Sequence, residues 1–299
     1  MRTSQLCETV TGQTMAELIN ARDAATTADM VELRLDGVVD LDVAAALADR
    51  RGKVIVTCRP TWEGGRFDGS EEERRRTLGR ALELGADYVD VEWKAGFGDL
   101  IAAQPERVVV SSHDFTGVPR DLSARVHAMR ETGAGVIKVA VTAVRLTDTL
   151  PLIDIARDGD AVVVGMGDAG VPSRLLASRF GSLWTYAGNG VAPGQIPARR
   201  MLDEFRFRQV GPATVVFGVV AGDVMQSASP AMHNAAFAAA GINAISVPLA
   251  AADADDADAF AVALGIINVT AQDGLHDLLA RATALNKTGH GVTESRRGI

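Results

Sequence analysis

Residues 107–141 read RVVVSSHDFTGVPRDLSARVHAMRETGAGVIKVAV, and they carry the clearest indication of the fold of this 299-residue chain. The stretch begins and ends with short valine-rich runs, at 107–112 and 136–141, which are typical of strands in a parallel sheet. The longer amphipathic segment between them, at 121–132, is typical of a helix. A strand, a helix and a second strand in this order predict two parallel strands joined by a helical crossover.

The same alternation extends on both sides of this stretch, from the start of the chain to about residue 205. Strands are expected at 5–10, 30–35, 53–58, 87–92, 107–112, 136–141, 161–165 and 183–186. Helices are expected between them, for example at 14–25, 42–50, 70–84, 121–132 and 147–157. Eight strand–helix repeats favour an α/β fold of the (β/α)8 TIM-barrel type, while an open doubly wound sheet would produce a similar pattern.

The pattern changes from residue 206, where a connector containing Gly211-Pro212 leads into a second, shorter series of elements. This series is expected to comprise strands at 215–219, 243–248 and 265–270 and helices at 231–240 and 252–264. We therefore expect a barrel over 1–210, a partial α/β (βαβαβ) unit over 211–285 and a disordered tail over 286–299. The Ala/Asp-rich run at 250–259 is expected to be a solvated helix face.

Charge and composition bear on the class of partner. The net charge of −8, from 38 acidic and 30 basic residues, disfavours nucleic-acid binding. No apolar run approaches the ~18 residues of a membrane span, and the first residues lack a signal-peptide core, so a cytoplasmic location is expected. The two cysteines, Cys7 and Cys58, are expected to be buried, reduced thiols. They are too few for a structural zinc site, and no metal is expected.

Polar residues recur where the predicted strands end, which is where a barrel of this kind holds its active site. Each one alone could equally be a charge that meets solvent at the end of a strand. Their repetition at one end of the sheet is what predicts a site. The residues concerned are Glu32, Arg34, Arg59, Glu92, His113, Lys138, Met166 and Gln195.

Lys138 and His113 are the candidates for the chemistry. Lys138 lies inside an apolar run, where loss of hydration favours a neutral amine that can form a Schiff base with a carbonyl. A lysine at a strand edge whose ammonium reaches solvent would look the same in sequence. His113 follows the preceding strand, so the two side chains are expected to meet at the barrel mouth, where a histidine suits proton transfer. A capping histidine beside Asp114 is the alternative.

Three arginines from separate loops, Arg34, Arg59 and Arg174, suggest a small anionic substrate, because guanidinium groups match carboxylates and clustered hydroxyls. Glu32 and Glu63 are expected to orient these groups or to accept hydrogen bonds. Ordinary surface ion pairs are the competing interpretation.

Once these residues are placed, the chain from about Leu6 to about Met201 resembles the type I dehydroquinases of the shikimate pathway. The segments that carry this resemblance, in order, are Glu32-Leu33-Arg34-Leu35-Asp36, Thr57-Cys58-Arg59, Glu63-Gly64-Gly65, Asp90-Val91-Glu92, Ser112-His113-Asp114-Phe115, Ile137-Lys138-Val139-Ala140, Met166, Ser173-Arg174, Phe180-Gly181-Ser182 and Ala192-Pro193-Gly194-Gln195. No single segment is decisive, but the ordered set is specific.

The resemblance implies a lyase that dehydrates 3-dehydroquinate to 3-dehydroshikimate through an imine on Lys138, with no cofactor. It implies that His113 moves the protons and that Glu63 orients His113. It also implies that Arg174 holds the substrate carboxylate and that a homodimer forms. By the same resemblance, the other substrate-binding residues, which hold the substrate hydroxyls or line the site, are Glu32, Arg34, Arg59, Met166 and Gln195. Val191 departs from the family, which often has a hydroxyl side chain there, so one substrate hydrogen bond is expected to be missing.

The second unit resembles the start of a shikimate dehydrogenase substrate domain through Ser227-Ala228-Ser229-Pro230 and Asn268-Val269-Thr270. The resemblance stops at Ala271-Gln272-Asp273-Gly274, where that family has a proline and a catalytic lysine. No Gly-rich nucleotide turn follows, so a truncated, degenerate remnant without dehydrogenase activity is expected. Ser227, Ser229 and Asn268 remain candidates for weak contacts with a shikimate-like ligand.

A bifunctional dehydroquinase/shikimate dehydrogenase is one alternative function. Two further functions stay open on the sequence. One is a regulatory protein, in which an inactive barrel carries a half-domain that senses a pathway intermediate. The other is a different Schiff-base barrel enzyme such as an aldolase, which would cleave a carbon–carbon bond.

Overall fold

Eight strands form one sheet in the computed structural model, which describes residues 3–220, 224–270 and 275–288. They are β1 (Gln5–Val10), β2 (Met30–Arg34), β3 (Lys53–Thr57), β4 (Tyr88–Glu92), β5 (Val108–Asp114), β6 (Val136–Thr142), β7 (Ala161–Met166) and β8 (Trp184–Ala187). Every predicted strand of the barrel is confirmed, with its ends displaced by at most two residues.

The sheet closes into a barrel. Its strands pair in parallel in the order β7-β6-β5-β4-β3-β2-β1-β8. The outer strands meet where the Leu183 amide donates a hydrogen bond of 3.0 Å to the Ala161 carbonyl. The fold is therefore a (β/α)8 TIM barrel, and the open doubly wound alternative is excluded.

Helices surround the barrel in the positions that the sequence predicts. They are α1 (Met15–Ala24), α2 (Val43–Leu47), α3 (Glu71–Glu83), α4 (Gly98–Ala103), α5 (Leu122–Glu131), α6 (Leu150–Arg157), α7 (Val171–Leu175), α8 (Ala177–Phe180) and α9 (Ala198–Asp203). The prediction of a helix to residue 50 is wrong at its end, because Ala48 is extended and Asp49 takes a left-handed φ of 52°. Asp tolerates that conformation better than most residues.

Two apolar layers hold the barrel together. Side chains such as Ile55, Val109 and Val162 fill its interior, and a larger cluster lies between the sheet and the helices. Cys7 and Cys58 are buried and form no disulfide, as predicted. Within the described ranges, no helix combines the length and the apolar character needed to cross a membrane.

The second unit is a three-stranded parallel sheet with helices, in the order β10-β9-β11. Its elements are β9 (Val215–Val220), α10 (Ser229–Ala239), β10 (Ala244–Leu249), α11 (Ala254–Leu264), β11 (Ile267–Thr270) and α12 (Leu275–Thr288). The predicted βαβαβ order is confirmed. The prediction of a tail from residue 286 is wrong for 286–288, which continue α12. This helix packs on the apolar cluster of the second unit through Ala282 and Leu285. Residues 289–299 lie outside the described part of the chain.

Candidate active site

A cavity that is open to solvent, with about 630 Å³ of empty space, lies at the C-terminal ends of the barrel strands. It is lined by nine of the barrel residues selected from the sequence: Glu32, Arg34, Arg59, Glu63, His113, Lys138, Met166, Arg174 and Gln195. The strand-end candidate Glu92 does not line it and instead pairs with Arg59 and Arg74. The convergence of distant segments that the strand-end rule predicts is thus present.

Lys138 lies in the wall of this cavity, on β6, and is only 5% exposed. Its Nζ atom lies 3.0 Å from Asp90 Oδ2 and 3.4 Å from Glu32 Oε1. The same atom lies 4.2 Å from the centre of the Tyr186 ring, close enough for a cation–π interaction. Lys138 is therefore not an edge lysine that reaches solvent. Two carboxylates and an aromatic face fix the position of its amine.

Asp90 joins Lys138 to a buried ionic network. Its Oδ1 atom lies 3.0 Å from Arg59 Nη2 and accepts a 2.5 Å hydrogen bond from the Ser111 hydroxyl. Burial alone would raise the pKa of Asp90, but Arg59 and Lys138 outweigh it and hold that pKa well below its usual range. A permanent carboxylate therefore faces the lysine. From the sequence, Asp90 is named only within the Asp90-Val91-Glu92 segment and has no assigned role, although its alternation with valines in β4 places it with Glu92 on the inner face.

Glu32 is a second fixed anion beside the lysine. The hydroxyls of Thr9 and Thr57 each donate to it at 2.9 Å. Burial favours its protonated form, but Lys138 and Arg34 reverse that effect and lower its pKa. The lysine thus lies between two carboxylates, and a cation that forms on its nitrogen is stabilised from both.

His113 is held by Glu63 at the mouth of the cavity. Glu63 Oε1 accepts a 2.8 Å hydrogen bond from the His113 amide and lies 3.0 Å from its Nδ1 atom. Burial, together with the charges of Arg59 and Lys138, lowers the pKa of His113 well below its usual value. With Glu63 ionised, the imidazole carries its proton on Nδ1, so Nε2 is left as a base. His113 is therefore held by Glu63, and the alternative of a capping histidine beside Asp114 does not account for its hydrogen bonds.

The turn that carries Glu63 requires a glycine after it. Gly64 has a left-handed φ of 77°, and a Cβ atom there would come within 2.6 Å of the Phe115 ring. The Phe115 ring in turn lies parallel to His113, 15° apart in plane, with centroids 6.4 Å apart. Backbone conformation and ring packing therefore set the position of the Glu63–His113 pair.

Arg174 differs from the other two arginines of the cavity. Among the described residues, its guanidinium donates only to two backbone carbonyls, those of Tyr186 and Pro193, both at 3.2 Å, and its buried Nε atom has no hydrogen-bond partner there. Burial lowers its pKa to about 10. No ion pair to Arg174 occurs among the described side chains.

Arg34 and Arg59, by contrast, are paired within the protein. Arg34 makes two bonds of 2.8 Å to Asp36, and Arg59 contacts Asp90 and Glu92. The three arginines converge on the cavity as predicted, but only Arg174 offers an unpaired guanidinium to an incoming anion.

The loop after β8 closes one side of the cavity. The Gln195 side-chain carbonyl accepts from the amides of Val191 and Ala192, at 2.8 and 3.1 Å, and its amide donates to Thr9 at 3.5 Å. Val191 lines the cavity without a side-chain hydroxyl. The loop is therefore tied to the barrel through Gln195.

The residues selected in the second unit do not join this cavity. Ser229 begins α10, and its amide donates to the Ser227 hydroxyl at 3.2 Å. The side chain of Asn268 lies outside the described residues, as do 221–223 and 271–274. A ligand role for Ser227, Ser229 and Asn268 stays a prediction. Among the side chains that are described anywhere in the chain, no group of three or more His, Cys, Asp or Glu is arranged to hold a metal ion.

Taken together, the fold and the cavity define an α/β barrel whose enclosed pocket combines a lysine amine, a neutral histidine and an unpaired arginine. This set suits covalent chemistry on a small anionic carbonyl compound. Residues 6–212 match the family described as "Type I 3-dehydroquinase", and the chain belongs to that family.

Known proteins resemble the chain over the barrel and beyond it. The bifunctional 3-dehydroquinate dehydratase/shikimate dehydrogenase of Arabidopsis thaliana is 36% identical over 239 residues, which cover 74% of this chain and 40% of that protein. The 3-dehydroquinate dehydratase of Methanothermobacter thermautotrophicus is 33% identical over 67% of this chain and 97% of its own length. The crystal structure of 3-dehydroquinate dehydratase from Geobacillus kaustophilus superposes with a TM-score of 0.61 at 27% identity, covering 67% and 90% of the two chains.

Proposed function

We propose that the protein is a type I 3-dehydroquinate dehydratase that forms an imine on Lys138 and needs no cofactor. One observation carries the proposal: the buried Lys138 amine lies in the same cavity as His113, which burial keeps neutral, and Arg174, which has no counter-ion among the described side chains. Its most direct kinetic test is the rise in ultraviolet absorbance as 3-dehydroquinate becomes a conjugated product.

Lys138 begins the reaction. Its amine adds to the C3 carbonyl of 3-dehydroquinate, and loss of one water leaves a carbon–nitrogen double bond to the lysine. Protonation of that imine places a positive charge on Nζ. Asp90, Glu32 and the face of the Tyr186 ring already surround this atom, and they stabilise the cation where it forms.

His113 then moves one proton twice. Its Nε2 atom takes the C2 proton, and the electrons of the broken bond move toward the imine nitrogen. The same proton is delivered to the C1 hydroxyl, which leaves as water while a C1–C2 double bond forms. Hydrolysis of the imine releases 3-dehydroshikimate and restores the Lys138 amine. Glu63 holds the imidazole in the tautomer that this sequence needs.

The remaining cavity residues bind the substrate. Arg174 pairs with the carboxylate, and Met166 covers an apolar part of the ring. Hydroxyls are held by Glu32, Arg34, Arg59 and Gln195.

Arg174→Gln is expected to raise KM about a hundredfold while kcat changes much less, because a buried charge pair with the substrate is lost in ground and transition states alike. Steady-state kinetics check this. Arg80→Gln, at an exposed guanidinium on α3, should leave KM unchanged. Unchanged KM in Arg174→Gln would show that the carboxylate binds elsewhere.

The pH profile depends on Glu63. Burial raises the pKa of Glu63 to about 7. As the pH falls through that value, Glu63 takes up a proton and His113 loses the acceptor that orients it, so kcat/KM is expected to fall on the acidic side with a midpoint near 7. Glu63→Gln mimics the protonated form and should abolish this limb, leaving a low, flat rate. The Glu83→Gln variant, at an exposed carboxylate, should keep the acidic fall in kcat/KM. If the fall also persists in Glu63→Gln, it must be assigned to a group other than Glu63.

We also propose a domain division into the barrel (1–210) and the second unit (211–285), which the change of sheet between β8 and β9 supports. A cytoplasmic location is supported by the two buried, unpaired thiols. A homodimer is proposed from the family alone, and light scattering would measure it.

A further inference from the structure

The second unit is fastened to the barrel by a buried carboxylate on α11. Asp256 is 1% exposed, and its oxygens accept hydrogen bonds from the Leu146 amide at 2.9 Å and from the Thr147 amide and hydroxyl at 3.0 and 2.7 Å. Burial would raise the pKa of Asp256, but these hydrogen bonds lower it. The expectation of a solvated helix face at 250–259 is therefore wrong at this residue, because α11 turns Asp256 toward the barrel.

A second fastening is made by α8. Arg179, on α8, donates to the carbonyls of Pro212, Thr214 and Leu264 at 3.2, 3.0 and 2.8 Å. The helix that precedes α8 in the chain, α7, also packs against β10 of the second unit. One apolar cluster includes Val171 and Leu175 of α7 together with residues of β9, β10 and α11.

A tightly packed path leads from Asp256 to the anion-binding arginine. Thr149 lies seven residues after the end of β6. It follows the two residues that bond Asp256, and its hydroxyl donates to the Leu146 carbonyl at 2.7 Å. A Cβ atom on Gly165 would meet Gly170 at 2.7 Å and the Thr149 methyl at 2.9 Å, so these backbones and the methyl are in contact.

The end of this path is Ser173. Its hydroxyl donates to the Gly170 carbonyl at 2.7 Å and accepts from the Gly165 amide at 2.8 Å. Arg174 is the next residue, and its guanidinium reaches the cavity from α7.

We propose that the second unit acts as a brace that fixes α7, and that Asp256 and Arg179 are positioning residues for Arg174. The unit thereby contributes to substrate affinity in the barrel. The proposal rests on the assignment of Arg174 to the substrate carboxylate.

The test compares the kinetics of full-length variants. Asp256→Ala removes one fastening, and Arg179→Met removes the other. Both variants are expected to raise KM for 3-dehydroquinate about fivefold or more, while kcat stays within about twofold of wild type. The reason is that substrate binding weakens equally in the ground state and in the transition state. The Asp42→Ala variant removes a helix cap on α2, far from the second unit. It should lower Tm and leave KM unchanged.

The outcomes separate the possibilities. If either fastening variant folds and retains the wild-type KM, or if Asp42→Ala raises KM equally, the brace is refuted. If Asp256→Ala does not fold, Arg179→Met carries the test alone. If wild-type protein has no turnover, the proposed function fails, which is a different result from an unchanged KM.

Discussion

Lys138→Ala is expected to lower kcat by roughly a thousandfold or more, because the covalent electron sink is lost and no other lysine lines the cavity as described. Borohydride should then trap no adduct. The variant leaves Glu32 and Asp90 without their lysine. Asp90 keeps Arg59 and Ser111, and Glu32 keeps Thr9 and Thr57, so we expect a folded protein with a lower Tm.

Lys53→Ala is the matched control, since Lys53 is exposed at the start of β3. It should retain wild-type kcat and the adduct. Circular dichroism of both variants excludes misfolding as the cause of a lost rate. A Lys138→Ala protein that turns over at the wild-type rate would rule out an imine on this residue.

His113→Ala is expected to lower kcat by about 10²- to 10⁴-fold, the usual contribution of a positioned general acid–base group. The Lys138 amine is untouched in this variant, so imine formation should continue at a reduced rate. Single-turnover trapping with borohydride distinguishes the two steps: the adduct should accumulate although product does not.

The control is His127→Ala, whose imidazole is exposed on α5 beside Glu131. Its kinetics should match wild type. If His113→Ala lost adduct formation and product formation equally, the histidine would be assigned to imine formation rather than to proton transfer at C2 and C1.

That Lys138 and His113 line one cavity could be predicted, because a barrel brings the C-terminal ends of its strands together at one mouth. The register explains how they share the cavity. Lys138 lies beside Ser111, and His113 lies beside Ala140. Side chains alternate along a strand, so Ser111 and His113 face the same way, toward the lysine.

The partners of the lysine could not be predicted in the same way. Asp90 and Tyr186 lie in apolar strands whose alternation fits an ordinary barrel interior. Their contact with Lys138 depends on ring closure, which brings β4 and β8 within reach of β6. The partners of the three arginines could not be predicted either. The sequence shows three cationic side chains, but it does not show which of them is paired with a carboxylate inside the protein.

The second unit shows the limit of composition as a guide. An Ala/Asp-rich run looks solvated, yet one of its carboxylates, that of Asp256, is buried against barrel amides. Helix phase relative to the barrel decides which aspartate turns inward, and that phase is set by the packing of α11 on the barrel rather than by local sequence.

The central claim is that Lys138 is the covalent centre. Wild-type protein should be mixed with 3-dehydroquinate, reduced with borohydride and digested, and its peptides should be analysed by mass spectrometry. We predict a single reduced adduct, on Lys138. Turnover without any adduct, or an adduct on a different residue, would contradict the account.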